Sequence, residues 1–149
     1  MNENLLNFIS NNKVEELLKV VKTFNINQLT DTGDTPLMSA IRNEYIQIIA
    51  ILLENGADPN FCNKQGFYPI HFATQKQNME IVKLLVKYGA QIDQQDGKFG
   101  KTPLSVAISK TEGRTFIDYF LELGADITIP NKVGVTPEAA AKLYKINLR

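Results

Sequence analysis

Residues 65–78, QGFYPIHFATQKQN, and the next residues, 79–93, MEIVKLLVKYGAQID, decide the fold of this chain. The first stretch predicts a turn that leads into a short helix with proline at its first position. The second predicts an amphipathic helix, because Met79, Val82 and Val86 recur at helical spacing before a closing glycine. Neither short helix can bury its apolar face alone, so the pair needs neighbours of the same kind.

The same two segments recur along the chain. TPLMSA at 35–40 returns as YPIHFA at 68–73, TPLSVA at 102–107 and TPEAAA at 136–141. The helix endings LLENGAD at 52–58, LVKYGAQ at 85–91 and LELGAD at 121–126 recur in the same phase, 33 to 35 residues apart. Two motifs in fixed phase are typical of a repeat protein.

Each motif has a physical role. The threonine hydroxyls of Thr35, Thr102 and Thr136 are predicted to cap helices by accepting from a free amide of the first turn. Gly56, Gly89 and Gly124 are predicted to end the second helices in the left-handed conformation. The third unit departs from the pattern, because Tyr68 stands where the capping threonine is expected.

The combined TPLxxA and GAD signature resembles the ankyrin repeat over nearly the whole chain. The resemblance implies an all-α solenoid of helix-turn-helix units with β-turn fingers, about three full repeats plus degenerate N- and C-terminal capping repeats. We expect a single domain over residues 1–149. Its units would be an N-terminal cap (1–30), three full repeats (31–63, 64–96 and 97–131) and a truncated C-terminal cap (132–149). The fourth unit carries one extra residue in its turn, 96–100, and another in the loop 109–114.

Composition excludes several classes of protein. The chain has 149 residues, 44% of them hydrophobic and 21% charged, which suits one packed domain. Zero net charge gives no reason to expect nucleic-acid binding. No secretory signal or membrane-spanning run is visible, so we expect a cytoplasmic protein that does not bind membranes.

The candidate reactive residues favour structural roles. His71 is the single histidine, so a metal site or catalytic triad lacks partners, and the resemblance implies that it hydrogen-bonds within and between units. Cys62 is the single cysteine, and an ordinary exposed thiol is favoured over a reactive one. Asn60 resembles an asparagine that is hydroxylated in animal ankyrin proteins, although a structural role is favoured. We expect no catalytic residue, no metal and no cofactor.

The resemblance places partner binding on the concave face, formed by the finger tips and the exposed side of the inner helices. Carried over by position, it gives Asp31, Asp34, Arg42, Asn43, Lys64, Phe67, Gln75, Lys76, Lys98, Phe99, Lys101, Lys110 and Lys132. Charge along this row is predicted to change from acidic in the second unit to basic in the later ones. Phe67 and Phe99 are predicted to occupy corresponding turn tips as binding anchors. The alternative is that both rings pack against neighbouring turns and the lysines only solvate the face.

We therefore expect a non-enzymatic module that binds another protein, acidic or amphipathic in character. The alternative is a structural unit, or a piece of a longer array, that self-associates through its C-terminal end, because half a unit covers Ile117, Phe120 and Leu121 less well than a whole one. Nucleic acid is not an expected partner, because no reading motif is present. We expect a monomer unless the C-terminal end associates.

Overall fold

The computed structural model describes residues 3–110 and 113–148, and within those ranges the chain is helical without a β-strand. In chain order the helices are α1 (Glu3–Ser10), α2 (Val14–Val20), α3 (Pro36–Arg42), α4 (Ile46–Glu54), α5 (Pro69–Gln75), α6 (Met79–Lys87), α7 (Pro103–Ile108), α8 (Arg114–Glu122) and α9 (Pro137–Leu143), with a 3₁₀ turn at Val21–Thr23. The predicted all-α repeat architecture is confirmed.

Two layers of helices stack in the order of the chain. The inner helices α1, α3, α5, α7 and α9 each contact the next, and α2, α4, α6 and α8 each pack against the inner helix that precedes them. The buried side chains form one continuous core, which includes Leu37, Ile70 and Leu104 from three successive inner helices. Each inner helix is thus fixed by its neighbours, and its exposed side lies on one surface with the fingers.

The predicted helix caps are confirmed. Thr35 accepts a hydrogen bond from the backbone N–H of Met38, and Thr102 and Thr136 accept the equivalent bonds in their helices. Tyr68 occupies the same position at the start of α5 and makes no side-chain cap. The predicted glycine endings are confirmed as well, since the φ angles of Gly56, Gly89 and Gly124 are +93°, +90° and +84°.

The fingers of the third and fourth units meet backbone to backbone. The N–H of Gly97 donates to the carbonyl of Gly66 at 2.7 Å. A Cβ on Gly66 would lie 2.6 Å from the Cα of Gly97, and Gly66 has a φ of +80°. Glycine is therefore required there both by its conformation and by the close approach.

The extra residue in the fourth finger changes the expected correspondence between units. The N–H of Asn63 donates to the carbonyl of Phe67, four residues on, whereas the N–H of Asp96 donates to that of Lys101, five residues on. Lys101 is thus the counterpart of Phe67, and the prediction that Phe67 and Phe99 occupy corresponding tips is wrong. Phe99 is carried by the longer turn. The second predicted insertion includes residues 111–112, which lie outside the described residues.

The C-terminal unit covers the stack in part. Ile146 and Leu148 pack against the core, and the Arg114 Nη1 donates to the carbonyl of Asn147 at 2.7 Å. Leu143 and Tyr144 remain 77% and 58% exposed. Of these four apolar residues of the C-terminal unit, two therefore help to cover the core. In the described part of the chain, no helix is long and apolar enough to cross a membrane.

Candidate functional site

The inner face, defined as the surface formed by the fingers and the exposed side of the inner helices, consists of three rows of equivalent positions. The finger-base row is Asp34, Phe67, Lys101 and Val135; the middle row is Ser39, Phe72, Val106 and Ala140; the helix-end row is Arg42, Gln75, Ser109 and Leu143. The first row is fixed by the hydrogen bond that closes each finger. The others follow five and eight residues later, at helical spacing. Cavities lie between successive units along these rows.

A cavity of about 470 Å³ lies between α1 and α3, and its lining consists of eight polar or charged residues and Leu6. Its carboxylate is not free, because Asp34 is only 7% exposed. The Arg42 Nε donates to its Oδ2 at 2.7 Å, and the Asn63 Nδ2 donates to its Oδ1 at 2.8 Å. The expectation that Asp34 presents a negative charge to a partner is therefore wrong, while Asp31 is exposed as expected.

Arg42 also joins the second unit to the third. Its guanidinium lies over the ring of Phe72 at 4.3 Å, and Phe72 contacts Phe67 with ring centroids 5.7 Å apart. Phe67 is half-buried in this cluster. Phe67 therefore packs against neighbouring residues, as the alternative predicted, and is not a fully exposed anchor.

A second cavity, about 170 Å³, lies between α5 and α7. Its lining comprises Phe67, His71, Gln75, Asp96, Phe99, Lys101, Val106, Ser109 and Lys110. Five of the thirteen predicted binding residues line it. The Asp96 carboxylate accepts from the backbone N–H groups of Lys98, Phe99 and Lys101 at 2.9, 2.5 and 2.9 Å, so it stabilises the finger from inside.

Phe99 is the exposed aromatic side chain of this cavity. It is 50% exposed, and the ammonium groups of Lys98 and Lys101 lie 5.0 and 5.9 Å from the centroid of its ring. These distances suit cation–π attraction. Neither lysine belongs to an ion pair with another described residue. The site therefore presents an apolar ring flanked by two positive charges.

His71 forms part of the cavity floor and is 3% exposed. Its Nε2 lies 2.9 Å from the carbonyl of Lys101 in the next unit, as the resemblance implies. Its Nδ1 is buried and has no hydrogen-bond partner among the described residues. Burial is the main cause that lowers the pKa of this imidazole, so the ring is neutral at pH 7.

Two of the predicted basic residues are engaged within the protein. The Lys76 Nζ lies 3.3 Å from the Glu44 Oε1. A hydrogen bond from Asn78 and a second from Lys76 lower the pKa of Glu44. The Lys132 Nζ donates to the carbonyl of Gly97 in the preceding finger. Fewer of the predicted lysines are therefore free of contacts within the protein.

The remaining predicted residues and the missed ones complete the inner face. Asn43 and Lys64 are exposed.

A third cavity, about 160 Å³, lies between α7 and α9 and includes Val135 and Leu143. Sequence reasoning missed Phe72, Val106 and Leu143 as surface-lining residues. The regular offset of five and eight residues from the finger base is the signal that could have found them.

The Cys62 thiol is half-buried in the third finger beside Tyr68. In the described part of the chain, no group of three or more His, Cys, Asp or Glu side chains is arranged to hold a metal ion.

Comparisons with known proteins agree with this geometry. A family model described as ankyrin repeats (3 copies) matches residues 2–61 and 52–131. The chain is 31% identical to a putative palmitoyltransferase ZDHHC13 of Danio rerio, over 89% of this chain and 21% of that protein. It is 30% identical to the transient receptor potential cation channel subfamily A member 1 of Homo sapiens, over 75% and 10%. It is 31% identical to the putative ankyrin repeat protein FPV031 of Fowlpox virus, over 75% and 33%. The chain spans a third or less of the length of each of these relatives.

Proposed function

The chain belongs to the ankyrin repeat family, whose members generally mediate protein–protein interactions, and we propose that it is a non-enzymatic module that binds an acidic or amphipathic partner protein on its inner face. One observation carries the proposal: Phe99 is half-exposed at the edge of a cavity, and two lysine ammonium groups lie within 6 Å of its ring. Aromatic side chains with adjacent positive charge are frequent anchors of protein interfaces.

The arrangement of charge supports an acidic partner. Asp34 is neutralised by Arg42, and Asp96 is occupied by finger amides. Lys98 and Lys101 stay without an ion pair among the described residues. A neutral protein thus presents a positive site in the fourth unit.

The test is affinity capture from the native source, identified by mass spectrometry. The variant combines Phe99→Ala with Lys98→Glu and Lys101→Glu, and it should lose the captured partner. Phe67 is left intact because it packs against Phe72. Lys87→Glu, on the exposed side of α6, is the matched control and should retain the partner. An unchanged set of captured proteins, with unchanged unfolding midpoints, would contradict the proposal.

A second function, assembly through the C-terminal unit, is favoured by a separate observation. Val135, Leu143 and Tyr144 line one cavity and are 40%, 77% and 58% exposed, which is unusual for a cluster of large apolar side chains. Sedimentation velocity at rising concentration should then show an oligomer that Leu143→Lys with Tyr144→Lys dissociates. A monomer at every concentration would exclude self-association.

A further inference from the structure

We propose that the cavity between α5 and α7 is a socket for one apolar side chain of a short acidic peptide segment, whose carboxylates pair with Lys98 and Lys101 at its rim. This inference rests on the proposed function and specifies the part of the inner face that recognises the partner. The socket is defined by Phe67, Phe99, Val106, Ser109 and Lys101.

The size and walls of the socket select one apolar side chain. Its volume is about 170 Å³, and a cavity of about 150 Å³ in another protein accommodates benzene. Phe67, Phe99 and Val106 supply apolar surface to its lining. A leucine- or phenylalanine-sized group would be removed from water there, which is the main source of favourable binding energy at such a site.

Charge at the rim of the socket determines which residues of the bound segment can flank its apolar side chain. Lys98 and Lys101 both lie within 6 Å of the Phe99 ring. The one carboxylate that lines the socket, Asp96, already accepts three backbone hydrogen bonds. Lys98, Lys101 and Lys110 outnumber this one carboxylate. The rim therefore carries net positive charge, which attracts a bound segment with Asp or Glu beside its apolar residue and repels a basic one.

The two walls of the socket are fixed in position before binding. The Gly66–Gly97 hydrogen bond of 2.7 Å joins the two fingers, and the His71 ring joins α5 to the Lys101 carbonyl at 2.9 Å. Binding then orders few protein groups, which lowers its entropic cost. The larger cavity at α3 is less suited to an acidic segment, because Arg42 is already paired with Asp34.

The experiment selects ligands from a phage-displayed library of random peptides and measures the enriched peptides, labelled with a dye, by fluorescence anisotropy. The expected peptides carry one large apolar residue with Asp or Glu within two positions. Ser109→Trp, which fills the socket, and Phe99→Ala should each weaken binding at least tenfold. Selection on the Lys98→Glu, Lys101→Glu variant should yield Lys- or Arg-rich peptides instead.

Matched controls separate this inference from the general function. Thr32→Trp fills the cavity at α3, and Phe61→Ala removes an exposed aromatic ring that does not line the socket. Neither should change the affinity, and every variant should keep the unfolding midpoint of the parent to within a few degrees. A variant that fails this check is replaced by Ser109→Phe or Phe99→Leu.

Five outcomes overturn the inference. If Thr32→Trp abolished peptide binding and Ser109→Trp did not, binding on the inner face would remain and the socket would be excluded. Peptides insensitive to both would contradict the inner-face proposal as well. A library that yields no binder, binders without acidic enrichment, or tighter binding of a single-stranded oligonucleotide than of any peptide would exclude an acidic peptide as the ligand.

Discussion

His71 is a buried titratable side chain that joins two units, and its surroundings determine its protonation state. A carbonyl oxygen can only accept, so the proton lies on the Nε2 that faces Lys101, and the unpartnered Nδ1 is the bare nitrogen. In α3, α7 and α9 a threonine caps the first turn, whereas the Tyr68 side chain makes no such cap in α5. The sequence showed this loss at Tyr68. That Nδ1 has no partner follows from the position of the ring between two units, which cannot be predicted from the local sequence.

We predict that this histidine makes stability depend on pH below about 6.5. Its folded-state pKa is lowered by burial, so between that value and the unfolded value of about 6.5 the unfolded chain binds a proton that the native one does not. The free energy of unfolding therefore falls as the pH falls through this window, at up to about 1.4 kcal/mol per pH unit. Urea denaturation from pH 8 to pH 5 measures the slope, and His71→Gln should abolish it.

The control for this slope is Glu44→Gln. The Glu44 pKa is lowered by the hydrogen bonds from Asn78 and Lys76, so the contribution of its carboxylate is present above its unfolded value of about 4.3 and is lost below it. Glu44→Gln should leave the slope above pH 5 unchanged. A slope that persisted in His71→Gln would assign the pH dependence to another group.

At the scale of elements, the loops that close the outer helices are joined by a ladder of side chains. The Asn27 Nδ2 donates to the Gly56 carbonyl at 3.0 Å, and its Oδ1 accepts from the Asp58 N–H at 2.8 Å. Asn60 makes the same two bonds to Gly89 and Gln91, at 2.9 and 2.8 Å. Each asparagine thus uses both ends of its amide to hold the next loop.

Asp93 breaks this ladder in the next unit. Its Oδ1 accepts from the Asp126 N–H at 3.0 Å, but a carboxylate has no proton to donate to the Gly124 carbonyl. We predict that Asp93→Asn restores the second bond and stabilises the protein by about 0.5–1 kcal/mol, while Asn60→Asp destabilises it by a similar amount. Urea denaturation at pH 7 gives both values.

A charge control accompanies this pair. Glu54→Gln removes one negative charge from the exposed end of α4, and it should change stability by much less than Asp93→Asn. If both variants stabilised equally, net charge and not the missing hydrogen bond would be the cause. If Asp93→Asn destabilised the protein, its carboxylate would have a role that the ladder does not explain.

Some features of these elements could be predicted from the sequence, and others arise only in the folded chain. The caps at Thr35 and Thr102 and the closing glycines follow from local backbone chemistry, and they were predicted. The pairing of Asp34 with Arg42 and of Lys76 with Glu44 arises between residues brought together by the folded chain. The predicted charge row was therefore right in residue type and wrong in which charges stay free. A single inserted residue likewise moved Phe99 out of register with Phe67.

At the scale of the whole molecule, each inner helix depends on its neighbours to a different extent. α3 contacts α1 and α5, and α5 contacts α3 and α7, so these helices are covered on both sides. Among the inner helices α9 packs chiefly against α7, and it carries Leu143 on an exposed side. In a linear stack, stability is the sum of unit and interface terms, so the ends open before the middle.

We predict a gradient of amide hydrogen exchange along the stack, with the slowest exchange in α3 and α5 and faster exchange in α9.

Two variants of similar energetic cost test whether the units are coupled. Ile70→Val in α5 costs about 0.5–1.5 kcal/mol, and Ala141→Gly in α9 costs about 1 kcal/mol; both residues are 1% exposed. Ile70→Val should speed exchange in α3, α5 and α7 together, because each reaches its protected state only when packed on the others. Ala141→Gly should speed exchange in α9 and leave α3 unchanged. Equal effects of both variants across every helix would show that the stack opens as one unit and not from its end.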